Sequence, residues 1–239
     1  MQKVRPIVKL GLLADIHANS EALSNIVVEL RRLHIDTVIV AGDTVGYYYN
    51  IILVRELLSS FNVLEVKGNH ENQILSNDKF SWSEYEKKYG SGLRRNKEDL
   101  KQDGIEHIRA LSHPLEVNLY GCRIIVAHGT PWDIDEYLYQ NSDSSSWNRI
   151  ANMDIDIAIL GHTHHQMLRK FGDKLIVNPG SVGQNRSAKS IADWAILDLS
   201  NMSIDFRSTP YSSKSLLKQC ETFDPNLHIL TRHLRVVED

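Results

Sequence analysis

Five short apolar runs, each followed within two residues by glycine, aspartate or histidine, constrain the fold of this chain more than any other feature. The runs are Ile7–Ala14, Thr37–Ala41, Val63–Val66, Arg123–Ala127 and Ile155–Leu160. Their length and their aliphatic, partly β-branched composition predict buried strands. Apolar residues at helical spacing in Glu21–Leu33, and the apolar stretch Ile51–Ser60, predict helices between the first three strands. This alternation of strand and helix predicts parallel crossover units.

The second half of the chain favours hairpins. Alternating runs joined by short turns pair residues 115–119 with 123–127, 166–171 with 174–177, and 192–199 with 202–207. Between the halves, a charged and strand-poor stretch predicts a helical insertion at about residues 79–112, packed on the rest of the chain. We therefore predict one domain over residues 1–239, of the α/β class, with two mixed sheets and helices outside them.

Charge and composition exclude several classes of protein. The 27 basic and 30 acidic residues leave a net charge of −3, which gives no general attraction to nucleic acid or membranes. The first apolar run is too short to span a bilayer, and the residues before it have no signal-peptide pattern. Cys122 and Cys220 lie far apart in the sequence, which indicates two reduced thiols. We expect a cytoplasmic protein.

The polar residues that follow the five runs are of the kinds that bind metal ions. In chain order they form the segments Asp15-Ile16-His17, Gly42-Asp43, Gly68-Asn69-His70-Glu71, His128-Gly129 and Gly161-His162-Thr163-His164. Ligand sites of α/β sheets collect at the carboxyl ends of strands, so these segments predict one common site. Carboxylate and amide oxygens combined with imidazole nitrogens suit manganese, iron, zinc or nickel.

Spacing within two of the segments suggests which side chains share an ion. In extended backbone, residues i and i+2 point the same way. We therefore expect Asp15 and His17 to bind one ion together, and His162 and His164 to face the same site.

Taken in this order, the segments resemble those of the calcineurin-like metallophosphoesterase family. The segment Asn-Pro-Gly-Ser-Val-Gly at 178–183 is similar to its small bacterial and archaeal phosphodiesterase branch. The resemblance runs from about residue 8 to residue 208. It implies a four-layer αββα sandwich and a metal-dependent phosphoric ester hydrolase, in which a metal-bound hydroxide attacks phosphorus in line.

The resemblance also implies roles for individual residues. Asp15, His17 and His164 would hold one divalent ion. Asn69, His128 and His162 would hold the other, and Asp43 would bridge the two. His70 would protonate the leaving group or clamp the phosphate. Asn69 and Arg186 would contact the substrate. The expected cofactors are two divalent ions, manganese first, with iron, zinc, nickel or cobalt as alternatives.

Two departures from family patterns bear on the expected substrate and on the expected residue roles. The protein Ser/Thr phosphatases resemble Gly-Asp-x-x-Asp-Arg-Gly at the second segment, and here Gly46 and Tyr47 stand where that Asp and Arg would be. His70 would then lack an acidic partner. Arg186 follows Asn185, where relatives usually have a proline, so the shape of its loop stays open.

Several alternatives remain at this point. Besides hydrolysis of phosphodiesters or nucleotide phosphoanhydrides, the chain could be a dinucleoside polyphosphate hydrolase, a phosphomonoesterase or a protein phosphatase. A non-catalytic protein-docking subunit of the same fold predicts eroded ligand residues, whereas here the set is intact. The expected partner is a small phosphorylated substrate such as a nucleotide, and homo-oligomers are left open. Aromatic residues after the metal segments could stack on substrate or pack within their loops: Tyr47, Tyr48, Tyr49, Trp132 and Tyr137.

Overall fold

A computed structural model describes residues 8–76 and 80–234 of the chain. Its strands are β1 (Lys9–Leu13), β2 (Thr37–Val40), β3 (Asn62–Glu65), β4 (Leu115–Leu119), β5 (Cys122–Val126), β6 (Ile157–Ile159), β7 (Gln166–Phe171), β8 (Lys174–Pro179), β9 (Ile191–Asp198) and β10 (Ser203–Pro210). Its helices are α1 (Ser20–Arg32), α2 (Ile51–Leu58), α3 (Asn69–Leu75), α4 (Trp82–Tyr89), α5 (Gly92–Ala110), α6 (Ser144–Ala151), α7 (Lys214–Phe223) and α8 (His228–Thr231). Ile7 and Lys79, which begin the first predicted strand and the predicted insertion, lie outside the described residues.

The strands form two mixed sheets of five strands each, in the orders β10-β9-β1-β2-β3 and β4-β5-β6-β8-β7. The centre of each sheet is parallel: β1 with β2 and β2 with β3 in the first, β5 with β6 and β6 with β8 in the second. The hairpins β9-β10, β4-β5 and β7-β8 add the antiparallel strands. The predicted α/β fold of two mixed sheets flanked by helices is confirmed.

Three apolar cores separate the layers. Side chains such as Leu12 and Ile124 meet between the two sheets. The opposite face of the first sheet packs on helices through residues such as Trp194, and the opposite face of the second sheet packs on α6 through Trp147. Because both faces of the central strands are covered, these strands are apolar at consecutive positions, as the sequence predicted.

Two parts of the chain differ from the sequence-based expectation. The third strand ends at Glu65, close to the predicted end at Val66, and the polar residues after it begin helix α3, which was not predicted from the sequence. The region after Tyr211, which has little sequence pattern, contains α7 and α8, and these helices bury Leu216 and Leu230 in the helix-side core. Tertiary packing can stabilise short helices that local sequence signals do not mark. Helices α4 and α5 occupy the range of the predicted insertion.

Candidate metal centre

The five polar segments meet at one edge of the two sheets. Backbone hydrogen bonds join the loops: the Asp15 N–H donates to the Gly42 carbonyl at 3.1 Å, and the His17 N–H to the Asp43 carbonyl at 2.9 Å. In the second sheet the Gly161 N–H donates to the His128 carbonyl at 2.7 Å. Backbone hydrogen bonds therefore fix the loops relative to one another. The side chains that the loops carry lie together in a buried space.

The backbone of these loops is unusual and corrects one expectation. Asp15, His17, Asp43, His162 and His164 all have positive φ, between 50° and 69°. Such φ values are uncommon outside glycine and concentrate at functional sites. The segments are therefore not extended, as the spacing argument assumed, although His162 and His164 do face one site, as predicted. Their side chains join different clusters.

Three groups of side chains have ligand atoms within 4.8 Å of one another. The groups are Asp15, His17 and His164; Asp43, His128 and His162; and His17, Asp43 and His70. Asp43 and His17 each belong to two of these groups. The amide oxygen of Asn69 lies 3.0 Å from Nε2 of His128. The structure thus brings together every residue that the sequence predicted as a metal ligand.

Backbone carbonyls orient four of the histidines. Nδ1 of His17 lies 3.0 Å from the Val45 carbonyl, and Nδ1 of His128 lies 2.9 Å from the Ala41 carbonyl. Nδ1 of His164 is 2.7 Å from the Gln184 carbonyl, and Nε2 of His162 is 3.2 Å from the Asp135 carbonyl. A carbonyl only accepts, so each of these nitrogens carries a hydrogen, and the other ring nitrogen of a neutral imidazole is left with a lone pair.

The remaining ring nitrogens of these histidines face one another in pairs. Nε2 of His17 lies 3.2 Å from Nε2 of His164, and Nδ1 of His162 lies 3.1 Å from Nε2 of His128. Oδ1 of Asp15 is buried without a hydrogen-bond partner. At His17 and His164 the two acceptors in contact repel each other, and a buried carboxylate oxygen without a partner is costly. Nε2 of His128 also lies 3.0 Å from the Asn69 amide oxygen and 3.2 Å from Oδ2 of Asp43, so positive charge is needed there as well. A cation between them removes both problems, so the donor set fits metal ions.

Burial and neighbouring charges shift the pKa values of these groups. Burial lowers the pKa of His17 and His164 well below the ordinary value, and lowers that of His162 to about 3. These rings are therefore neutral, which is the form that binds metal. Burial also raises the pKa of Asp15 to about 8, so ionised Asp15 needs positive charge nearby. For Asp43, burial is outweighed above all by His128, which holds the pKa of this carboxyl well below the usual range. Burial alone would lower the pKa of His128, but Asp43 and Asp15 raise it to about 10, so positive charge is favoured beside these two carboxylates.

Glu71 supports the loop that carries Asp43. Its two carboxylate oxygens accept from the backbone N–H groups of Asp43, Thr44, Val45 and Gly68, at distances of 2.7 to 3.2 Å. A side chain at position 68 would overlap Asp43. The loops that carry Gly68 and Asp43 can therefore lie in contact only because residue 68 is glycine. Sequence reasoning assigned Glu71 no role. Its position three residues after Gly68, from which a glutamate can accept from the N–H group at the start of a helix, was the available signal.

His70 lies at the edge of the metal centre, between Asp43 and helix α4. Its Nε2 is 3.8 Å from Oδ2 of Asp43, and its Nδ1 is 3.0 Å from the hydroxyl of Tyr85 on α4. Sequence reasoning did not single out Tyr85. No sequence motif marks it, since the contact depends on how α4 packs.

Arg186 faces the centre from the opposite loop. Its positive charge acts on Asp15, His70 and His164, and on the hydroxyl of Tyr137. Asn185, which stands where relatives usually have proline, accepts from the N–H groups of residues 187 and 188 and so turns the loop.

The aromatic residues fall into two classes. Tyr47, Tyr48 and Tyr49 are buried, and the last two donate to the Leu230 carbonyl and to Asp224. They pack within the protein, as the simpler interpretation held. Tyr137 instead is 46% exposed, with its ring centroid 3.8 Å from that of His162. A ring at the centre is therefore open to a substrate.

A model of the calcineurin-like phosphoesterase superfamily domain matches residues 8–202. The chain belongs to this family. It is accordingly a metal-dependent phosphoester hydrolase. No helix within the described residues combines the length and the apolar character needed to cross a membrane.

Related proteins span nearly the whole chain. An uncharacterized protein of Methanocaldococcus jannaschii is 28% identical over 223 residues, covering 86% of this chain and 88% of that protein. The structure of hypothetical protein PH1004 from Pyrococcus horikoshii OT3 aligns with a TM-score of 0.80 and 18% identity, over 98% of this chain and 100% of that one. A metallophosphoesterase from Sphaerobacter thermophilus aligns with a TM-score of 0.78 and 22% identity, over 95% and 98% of the two chains. Both structures share the fold described above.

Proposed function

We propose that this enzyme hydrolyses phosphodiesters or nucleotide phosphoanhydrides at a centre that holds two divalent ions, manganese first among them. The observation that carries the proposal is the pair of facing imidazole contacts at 3.1 and 3.2 Å, each in its own ligand cluster. At His17 and His164 two lone pairs face each other, and at His128 and His162 the contact lies beside the amide oxygen of Asn69 and the carboxylate of Asp43, so each cluster presents donor atoms for one cation. One ion would be held by Asp15, His17 and His164, and the other by Asn69, His128 and His162, with Asp43 between them.

Two bound divalent ions supply an acidified water as nucleophile and positive charge for the phosphate oxygens. The side chains of the protein position the substrate. Arg186, whose charge already acts on Asp15 and His164, would bind a phosphate oxygen through its guanidinium. His70 would direct Nε2 at the phosphate or at the leaving oxygen, either as a hydrogen-bond donor or as a proton donor.

The residues around His70 favour a diester over a monoester. Where the protein phosphatases have an arginine, the ring of Tyr47 packs against His70 at 5.1 Å between centroids. A phosphodiester carries one negative charge and a monoester close to two, so a site with fewer guanidinium groups suits the diester better. The exposed ring of Tyr137 favours an ester that carries a flat ring, such as a nucleotide.

A substrate and metal screen tests this proposal. Metal-free protein is reconstituted separately with manganese, iron, zinc, nickel and cobalt, and the bound metal is counted by elemental analysis. Each form is assayed on bis-p-nitrophenyl phosphate, diadenosine tetraphosphate, a cyclic nucleotide and phosphoserine. We expect two ions per chain and faster turnover of the diester or the anhydride than of phosphoserine. Protein that takes up no metal would instead support the docking-subunit alternative, and preference for phosphoserine would support a phosphomonoesterase.

A further inference from the structure

The hydroxyl of Tyr85 meets His70 on the side away from the metal ligands. The two atoms, Oη of Tyr85 and Nδ1 of His70, lie 3.0 Å apart, and Tyr85 is only 7% exposed. Tyr85 belongs to α4, in the range of the predicted insertion. The insertion therefore reaches the centre through this side chain.

The direction of the hydrogen bond follows from the surroundings of the hydroxyl. Among the described residues, the contact with His70 is the hydrogen bond that this hydroxyl makes. A buried O–H group without an acceptor is costly, so the Tyr85 hydroxyl donates and Nδ1 of His70 accepts. A neutral imidazole with an accepting Nδ1 carries its hydrogen on Nε2. Nε2 is the atom on the side of Asp43.

Gly46 makes room for this contact. A side chain built on Gly46 would overlap Nδ1 of His70. Gly46 also stands where the protein phosphatases have an acidic residue. The partner of the histidine thus comes from a distant helix instead of the neighbouring loop, and it is a neutral donor instead of a carboxylate.

Packing fixes both rings. The ring of His70 contacts that of Tyr47, and the ring of Tyr85 contacts those of Phe80 and Tyr89 at 5.3 and 5.0 Å between centroids. Contacts of this kind restrict rotation of both side chains, so the hydroxyl and Nδ1 stay in register.

We propose that Tyr85 is the positioning residue of His70, which it holds as a neutral ring with hydrogen on Nε2, so that His70 clamps a phosphate oxygen by hydrogen bonding. This inference rests on the proposed function, since it needs a phosphoester at the centre. It also decides between the two roles of His70. A neutral ring that gave up its Nε2 proton would become an imidazolate, whereas as a clamp it keeps the proton.

The first test measures which ring nitrogen of His70 carries the hydrogen, and it does not depend on turnover. In the metal-free protein labelled with ¹⁵N-histidine, NMR should show a protonated Nε2 and an unprotonated Nδ1 for His70. Tyr85→Phe should change this pattern, while Tyr89→Phe, the same chemical change on the same helix, should not. A protonated Nδ1 in the wild-type protein would overturn the inference, whatever the activity of the enzyme.

The second test is kinetic. Tyr85→Phe should lower kcat by about 10- to 100-fold, the usual loss for an orienting partner, and Tyr89→Phe should leave it unchanged. The loss should be the same for aryl diesters with good and poor leaving groups, because a clamp on a phosphate oxygen does not protonate the leaving group. In a His70→Ala background, Tyr85→Phe should have no further effect.

Other kinetic outcomes overturn the inference. Equal losses in both backgrounds would mean that Tyr85 does not act through His70. A loss that grows with the pKa of the leaving group would mean that Tyr85 supports a proton donor. Failure of the proposed function has a different signature, since wild-type protein would then turn over no diester with any metal while the NMR result for His70 stayed as expected.

Discussion

The metal centre and the ion-pair cluster formed by Arg55, Glu65 and His107 each contain a buried carboxylate beside nitrogen groups, but the charge of that carboxylate is balanced differently in the two. In the ion-pair cluster, Nη1 of Arg55 lies 3.0 and 2.7 Å from the two oxygens of Glu65, and Nε2 of His107 lies 3.2 Å from Oε2. Glu65 thus has its positive charge within the chain. At the metal centre, Asp15 has an oxygen without a partner, and neutral imidazoles face one another.

This difference shows how a structural carboxylate can be told from a metal ligand. Both are buried, and both follow or end a strand of the first sheet. The structural carboxylate is paired with a guanidinium of the same chain, which makes the cluster complete by itself. The ligand carboxylate of Asp15 accepts a hydrogen bond at Oδ2 from the His162 N–H, whereas its Oδ1 has no hydrogen-bond donor. We expect each region to respond to a different perturbation.

The largest effect should come from Asp43→Asn, which removes the carboxylate shared by two ligand clusters. Turnover should fall by at least about 100-fold, the upper range for losing a mere orienting partner of a metal site. Steady-state assays with saturating metal measure it. Asp205→Asn is the matched control, because it makes the same change at an exposed ion pair. Near-normal turnover in Asp43→Asn would remove Asp43 from the centre.

Metal binding should stabilise the protein through the centre and not through the ion-pair cluster. Free manganese at 100 times its Kd adds about 2.7 kcal/mol. For a chain of 239 residues this raises Tm by roughly 5 to 10 °C. Differential scanning calorimetry of metal-free and titrated protein measures the shift. It should shrink in Asp43→Asn and persist in Glu65→Gln. An equal shift in both variants would place the binding elsewhere.

Glu71→Gln should weaken the centre without touching a ligand. The amide that replaces one carboxylate oxygen would turn N–H groups toward backbone N–H donors, costing about 1 to 3 kcal/mol of stability. Because the loop carrying Asp43 would loosen, turnover should also fall, by about 10- to 100-fold. Urea unfolding and kinetics of the same sample measure the two effects. A stable variant with lost activity, or the reverse, would separate Glu71 from the Asp43 loop.

Glu65→Gln should cost stability alone. We expect a loss of about 1 to 2 kcal/mol in the free energy of unfolding, because a buried charged hydrogen bond is weakened while the partly exposed Arg55 stays hydrated. Turnover per folded molecule should not change. A large change in kcat would mean that the two regions are coupled, contrary to the comparison.

The cost of Glu65→Gln should also depend on pH. Burial alone would raise the pKa of Glu65, but His107 and Arg55 hold it below its ordinary value. The stability it contributes is therefore complete above the pKa of unfolded glutamate, about 4.3, and is lost as pH falls through the lower folded value. Urea unfolding of metal-free protein across this range should show the difference from wild type shrinking in acid. A constant difference would mean that ionised Glu65 adds no stability.

The sequence by itself determined the layers of the fold and the identity of the clustered residues. Apolar runs such as Thr37–Ala41 are buried on both faces, and this makes strands readable as continuous hydrophobic segments. Because parallel strands end at one edge of a sheet, the polar residues that follow these runs had to come together. Both inferences use local composition and chain order, which the sequence states directly.

Tertiary structure decided the backbone conformation of the site and the partners of its side chains, because these features depend on distances between residues that are far apart in the chain. The left-handed backbone at His162 and His164 follows from no spacing rule, and the assignment of these two histidines to different clusters was implied only by the resemblance to the family. Tyr85 reaches His70 only because α4 packs against the loop of Gly46, and Glu65 is paired only because α2 and α5 bring Arg55 and His107 to it. Such contacts are set by how helices settle on the sheets, through packing that many sequences satisfy in different ways.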